Sequence, residues 1–257
     1  MLNSPPRDPN PVELSVVVPV YNEAGNIRPL WSGLRPSLEG LGRSWEVLFV
    51  DDGSTDSSGG ELADVRREDP RVRVLRLEPN QGQSAAFWAG FKRVHGEIVV
   101  TIDADLQNDP GDISLLLRAL EDADVAIGWR HERCDPFLKR VSSRIANGFR
   151  NWITEEEVHD VGCSLKAFRR PVFDHLFPFR GMHRFFPTLA RFAGFKVVEV
   201  KVRHHPRVRG LSKYGIWNRL VGPFLDCLAV RWMKKRYVGR AAAEEAADRA
   251  ETSRSST

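Results

Sequence analysis

The sequence predicts an α/β protein with a mainly parallel sheet covered by helices on both faces. Three observations predict it. The first half alternates between short β-branched apolar runs and helical patterns joined by short connections, as strand–helix–strand units do. Polar groups collect directly after five of those runs, where open parallel sheets bind their ligands. With 257 residues and a 42% hydrophobic share, the chain can bury a sizeable core.

Leu14–Val20 reads as a buried strand, and Asn26–Leu38 as a helix with Pro29 in its first turn and Pro36 near its end. Trp45–Val50 is the second strand, Ser57–Glu68 the next helix, and Val72–Leu77 the third strand. Gln81–Val94 is a helix with small residues on one side, followed by a strand at Ile98–Ile102 and a helix at Pro110–Glu121. Val125–Trp129 is the fifth strand. The second half is less regular. Helices are expected at Phe137–Trp152, Pro171–Leu176, Phe186–Phe192 and Ile216–Lys235, the last broken at Gly222-Pro223, with strands at Gly162–Phe168 and Lys196–Val202. The expected domain plan is a disordered N-terminus at 1–13, a catalytic domain at 14–202, a basic loop with interfacial helices at 203–238, and a disordered tail at 239–257.

No run of 18 or more uncharged apolar residues is present, so no transmembrane helix is expected. The Pro-rich polar start has no apolar core of the secretory kind. Cys134, Cys163 and Cys227 are odd in number and widely spaced, which fits reduced, packed thiols in a cytosolic protein. The net charge of +4 is uneven: residues 203–213 carry four basic residues and no acid, and residues 231–240 carry five. Phosphorylated ligands or an anionic membrane surface suit these clusters. No nucleic-acid motif accompanies them, so no nucleic-acid partner is expected.

The most informative stretch is Ile98–Pro110, where an apolar run ends in Asp103-Ala104-Asp105-Leu106-Gln107. On an extended strand, residues i and i+2 share a face, so Asp103 and Asp105 would point the same way. A divalent cation, Mg²⁺ or Mn²⁺, would neutralise them, with Gln107 adding a neutral oxygen and substrate phosphates completing the shell. A solvated turn is the plainer alternative. The other strand ends offer Tyr21-Asn22-Glu23, Asp51-Asp52-Gly53-Ser54, Asn80-Gln81-Gly82 and Arg130. Neither a G-x-G-x-x-G nor a Walker A motif is present.

Val17–Glu23, Val50–Asp56, Asn80–Gly82 and Asp103–Pro110 together resemble family 2 glycosyltransferases, in particular the branch that makes polyprenyl-phosphate sugars, similar to dolichol-phosphate mannose synthases. The resemblance implies a GT-A fold and an inverting hexosyltransferase. Pro19, Tyr21, Glu23 and Asp51 would hold the base and ribose of a GDP- or UDP-hexose of mannose or glucose type, and Asp103, Asp105 and Gln107 the metal. Arg130, Arg140 and Ser143 would bind the acceptor phosphate, with Lys139 or Arg144 as alternatives in that segment. Arg207 and Lys213, in Arg207-Val208-Arg209-Gly210-Leu211-Ser212-Lys213, would close over the donor diphosphate. Many relatives continue into membrane-spanning helices or pair with a membrane subunit. The implied partners are thus a nucleotide diphosphate sugar, a polyprenyl phosphate lipid, the inner membrane surface and, as an option, a separate membrane subunit.

The chemistry is consistent with that reading. Transfer builds negative charge on the leaving diphosphate, which cations stabilise. A phosphate acceptor is already a nucleophile, whereas a hydroxyl needs a base, for which Asp160 is the best candidate and His159 and His183 weaker ones. Two other readings stand beside the leading one: the same enzyme class acting on a glycan or soluble hydroxyl, and a non-catalytic nucleotide-sugar or lipid-phosphate binding module.

Overall fold

The computed structural model describes residues 12–131, 148–155, 157–206 and 221–237. Its centre is a seven-stranded sheet of order β3-β2-β1-β4-β6-β5-β7. The strands are β1 (Leu14–Val20), β2 (Trp45–Asp51), β3 (Val72–Arg76), β4 (Ile98–Thr101), β5 (Val125–Arg130), β6 (Lys166–Arg169) and β7 (Val197–Val202). The helices are α1 (Ile27–Glu39), α2 (Ser58–Glu68), α3 (Gln83–Phe91), α4 (Ile113–Ala119), α5 (Phe186–Phe192) and α6 (Val221–Lys234), with a further helical stretch at 148–154.

Strands β1 to β4 are mutually parallel, and β5 pairs in parallel with β7. Strand β6 lies antiparallel between β4 and β5. Two antiparallel steps restore the direction, so β1 to β5 all end on one edge. That edge carries the site.

Successive residues of β1 alternate between two cores, as the pleat requires. Val16, Val18 and Val20 pack in one cluster with α1, α2 and α4, whereas Val17 packs with α3, α5 and α6 in the other. On α3, Gly90 lets the helix approach β1. A Cβ there would lie 2.6 Å from Val17 Cγ1.

Several expectations shift. The helix expected at Gln81–Val94 is the shorter α3, and Pro110–Asp112 is a 3-10 turn leading into α4. The strand expected at Gly162–Phe168 is the shorter β6, which begins only at Lys166; before it, Gly162 and Ser164 line the site cavity while Cys163 and Leu165 pack in the core. Pro171–Leu176 lies largely in a 3-10 segment, Arg170–His175. Helix α6 is described from Val221, so Gly222-Pro223 stand at the start of its described range and the piece expected before them lies outside the described residues. The expected segments at 137–147 and 216–220, the terminal segments 1–11 and 238–257, and Cys134 lie outside the described residues. Cys163 and Cys227 are free and buried.

Candidate active site

The loops after β1 and β2 are zipped together by side chains. Asn22, at φ +52°, donates its N–H to Ser54 Oγ (3.0 Å), and its Oδ1 accepts from Thr55 N–H (2.8 Å). A short polar side chain tolerates that left-handed backbone. Glu23 N–H donates to Ser58 Oγ at 2.9 Å, and Glu23 Oε2 accepts from Asn26 Nδ2 at 2.7 Å. Asp51 is buried; its Oδ1 accepts from Ser54 N–H (2.9 Å), while Arg76 Nη1 donates to its Oδ2 (3.4 Å). Pro19 lies opposite Val50 in the sheet, and Tyr21 is half-buried just beyond β1. Asp52 clamps the approach to α3, accepting from Gln81 N–H (2.9 Å), Gly82 N–H (2.7 Å) and Asn80 Nδ2 (2.9 Å).

The carboxylate pair follows. Strand β4 ends at Thr101, so Asp103 and Asp105 stand on a turn and not on a strand face. The strand-pleat argument for their proximity therefore does not apply. They are near each other nonetheless: burial first, and then the charge of Asp105, push the Asp103 carboxyl up to about 7. Gln83 Nε2 donates to Asp103 Oδ1 at 2.8 Å, and Asp103 N–H donates to Ser164 Oγ at 3.2 Å. Gln107 N–H donates to Asp105 Oδ1 at 3.2 Å, and Gln107 Nε2 lies 3.4 Å from His204 Nε2. A desolvated carboxylate raised by its neighbour is a place where a cation is favourable. Among the described residues no group of three or more His, Cys, Asp and Glu side chains is arranged to hold a metal. Two carboxylates and an amide fit a cation that takes its remaining ligands from water and phosphate.

Beyond Asp103 opens a cavity of about 280 Å³, whose lining includes Gln83, Asp103, Asp160, Lys166, His183 and Arg184. At its side Arg130 and Asp160 form a bidentate pair, Nε to Oδ2 at 2.6 Å and Nη2 to Oδ1 at 2.8 Å. Both side chains are largely buried, at 13% and 3% exposure, where such a fork is held tightly. Lys166 is buried, donates to the Cys163 carbonyl and is pushed down mainly by desolvation. His183 is pushed down to about 3, by burial first and then by Arg184 and Lys166, so its ring is neutral. Ser84 Oγ lies 2.8 Å from His183 Nδ1 and accepts from Gly181 N–H at 3.0 Å. By contrast, His159 is exposed, with Nδ1 2.7 Å from Glu199 Oε2 and its ring stacked on Trp129.

Asp51, Asp103, Asp105, Gln107, Arg130 and Asp160 thus gather on one edge. Arg140, Ser143, Arg207 and Lys213, with Lys139 and Arg144, lie outside the described residues. The strand leading toward Arg207 is anchored beside the carboxylate turn: Arg203 N–H donates to Asp112 Oδ2 (2.6 Å), and His205 N–H to the Gln107 carbonyl (2.9 Å). Sequence reasoning missed Gln83, Ser164, Lys166 and Arg184. Gln83 follows directly on Asn80-Gln81-Gly82, which offered a signal; Lys166, inside an apolar strand, offered none.

A family model described as glycosyl transferase family 2 matches residues 15–177. The chain belongs to glycosyl transferase family 2. Within this glycosyltransferase family, the chain is 39% identical over 240 residues to a dodecaprenyl-phosphate galacturonate synthase of Rhizobium johnstonii, covering 89% of this chain and 69% of that protein. It is 37% identical over 216 residues to an undecaprenyl-phosphate 4-deoxy-4-formamido-L-arabinose transferase of Salmonella paratyphi B, covering 83% of this chain and 66% of that one, just under two thirds of its length. The fold is similar to that of glucosyl-3-phosphoglycerate synthase from Mycobacterium tuberculosis, solved with Mn²⁺, UDP and phosphoglyceric acid, with a TM-score of 0.66 and 22% identity over 84% of this chain and 78% of that one. The family 2 glycosyltransferase thus has the GT-A fold, its strand-end edge being the face on which the carboxylate turn and the cavity lie.

Proposed function

We propose that this glycosyltransferase moves a sugar from a nucleotide diphosphate sugar to the phosphate of a polyprenyl phosphate at a membrane surface, with inversion. The observation that carries the proposal is the Arg130–Asp160 pair. Asp160, the best candidate for a base, has a guanidinium nitrogen on each carboxylate oxygen, which leaves it poorly suited to take a proton. A phosphate acceptor needs no base, because it is ionised near neutral pH; it needs a cation to position it. Arg130, held by Asp160, fills that role in this reading, joined by Arg140 and Ser143. The two relatives support it, since both are named for a polyprenyl phosphate.

Asp51, with Pro19, Tyr21 and Glu23, would hold the nucleoside. Asp103, Asp105 and Gln107 would hold a divalent cation, Mg²⁺ or Mn²⁺, which supplies charge neutralisation at the leaving diphosphate. Arg207 and Lys213 add positive charge there in the same reading.

The expected mannose or glucose is replaced by a different inference. Galacturonate and 4-deoxy-4-formamido-L-arabinose, the sugars in the relatives' names, each carry a planar carbonyl group on the ring, as a carboxylate or a formamide. We infer a donor sugar of that kind.

The membrane part rests on an apolar surface. Phe149, Trp152, Phe224, Leu225, Leu228 and Trp232 are 40–72% exposed, and Phe149 stacks on Phe224 with centroids 5.5 Å apart. Arg236 lies over the Trp232 ring, beside Lys235. The opposite face of α6 is packed through Cys227 and Val230. Aromatic rings next to basic residues suit the lipid–water interface. No helix among the described residues is long and apolar enough to cross a membrane. A thermal-shift screen of UDP- and GDP-linked sugars with Mn²⁺ tests the donor assignment. Stabilisation by a carbonyl-bearing sugar nucleotide above the matching neutral one is expected; stabilisation by none of them contradicts it.

A further inference from the structure

The geometry points to His183 as the residue that reads the carbonyl oxygen of the transferred sugar, through an Nε2–H whose position Ser84 fixes. The inference rests on the donor reading above and names the side chain that enforces it.

The assignment gives His183 one tautomer. Ser84 Oγ accepts from Gly181 N–H at 3.0 Å and lies 2.8 Å from His183 Nδ1, and in the proposal its hydroxyl proton is the one shared with that nitrogen. Nδ1 is then an acceptor, and a neutral ring carries its proton on Nε2. Ser84 sits in the first turn of α3, beside Gln83, which holds Asp103. One helix start therefore orients both the first carboxylate of the turn and the imidazole. Lys166 and Arg184 line the same cavity. These side chains bring hydrogen-bond donors to a cavity that the carboxylates of Asp103 and Asp160 also line, which suits a carbonyl oxygen that accepts from one of the donors. The cavity, about 280 Å³, is below the roughly 300 Å³ at which pockets for larger ligands begin, and so suits one sugar ring more than a nucleotide. A pocket built to donate a hydrogen bond discriminates strongly against a ligand lacking the acceptor, because its own polar group is then left unpaired.

The test compares His183→Ala, His183→Asn, His183→Gln and Ser84→Ala with wild type. Calorimetry with Mn²⁺ uses UDP, UDP-galacturonate, UDP-4-deoxy-4-formamido-L-arabinose and UDP-galactose, with GDP and GDP-mannose covering the other base. The amide nitrogen of Gln reaches about where Nε2 stands, whereas that of Asn overlays Nδ1. His183→Ala and His183→Asn should weaken the preferred carbonyl-bearing donor about tenfold, the loss of one hydrogen bond, while the free nucleotide keeps its affinity. His183→Gln should restore most of the loss, and Ser84→Ala should show a smaller loss of the same kind. The two carbonyl-bearing donors tell a carboxylate from a formamide. Rescue by Asn and not by Gln, or equal losses for UDP and its sugars, would mark His183 as structural and overturn the assignment. If the wild type gains affinity from a carbonyl-bearing sugar and the His183 variants keep that gain, the assignment to His183 fails alone; if the wild type binds a nucleotide but gains nothing from such a sugar, the donor-sugar reading fails and takes this assignment with it. If the wild type binds no nucleotide, the donor reading fails and takes this assignment with it.

Discussion

Asp160 grips Arg130 by two parallel hydrogen bonds, 2.6 and 2.8 Å long, on the edge where β5 ends. The pair separates two mechanisms. If Asp160 were a base, Asp160→Asn would remove the acidic limb of the pH profile and lower kcat. As the holder of Arg130, its loss raises the KM for polyprenyl phosphate and leaves that limb in place. Truncating one partner of a buried charge pair costs about 2–5 kcal/mol, so a rise of at least tenfold is expected for both Asp160→Ala and Arg130→Ala. Donor affinity, measured by calorimetry, should change little.

Asp103 gives a pH prediction. Its carboxyl is raised to about 7 by burial and by Asp105, above the roughly 3.9 of an unfolded chain. Between those values the native state keeps a proton that the unfolded state has lost. Stability without metal therefore falls as pH rises from about 4 through 7. Asp103→Asn should raise the melting temperature of the metal-free protein near pH 8 and converge with wild type near pH 4. The same variant should lose metal-dependent nucleotide binding. A stability difference that does not vary with pH would contradict this.

The close approach of α3 to β1 is equally testable. A Cβ on Gly90 would stand 2.6 Å from Val17 Cγ1, inside contact distance. Gly90→Ala should destabilise by about 1–3 kcal/mol through overpacking, read by chemical denaturation. Gly222, with nothing near its added Cβ, lies at the start of the described range of α6 and should tolerate Ala.

The exposed rings predict membrane association. Moving a large apolar side chain out of water contributes about 2 kcal/mol, and each nearby Lys or Arg about 1 kcal/mol at an anionic surface. Trp152→Ser with Trp232→Ser should cut sedimentation with anionic liposomes more than tenfold, and wild-type binding should weaken with salt. Binding that ignores both changes would remove the interfacial role of this face.

The parallel half of the fold was legible because each strand there is a β-branched run ended by turn residues. β1 matches its expected range Leu14–Val20, and α5 its range Phe186–Phe192. β6 was harder to read: it is a short antiparallel insertion between β4 and β5, paired to residues 39 to 71 positions away in sequence, and no local pattern encodes such a partner. Of the site, the carboxylates and Arg130 stood out because charge directly after an apolar run is conspicuous. Gln83, Lys166 and the Ser84–His183 contact did not, because each depends on a neighbour that only the fold supplies. The proximity of Asp103 and Asp105 was expected for the wrong local reason, a strand face; a turn brings them together.

The central claim is transfer to a lipid phosphate. Purified protein, Mn²⁺, the donor selected by thermal shift and undecaprenyl phosphate in detergent or liposomes should yield an organic-extractable polyprenyl-phosphate sugar, identified by mass spectrometry and inverted at the anomeric carbon. Donor consumption that yields only free sugar, or transfer to a hydroxyl acceptor in preference to the lipid phosphate, would contradict the account.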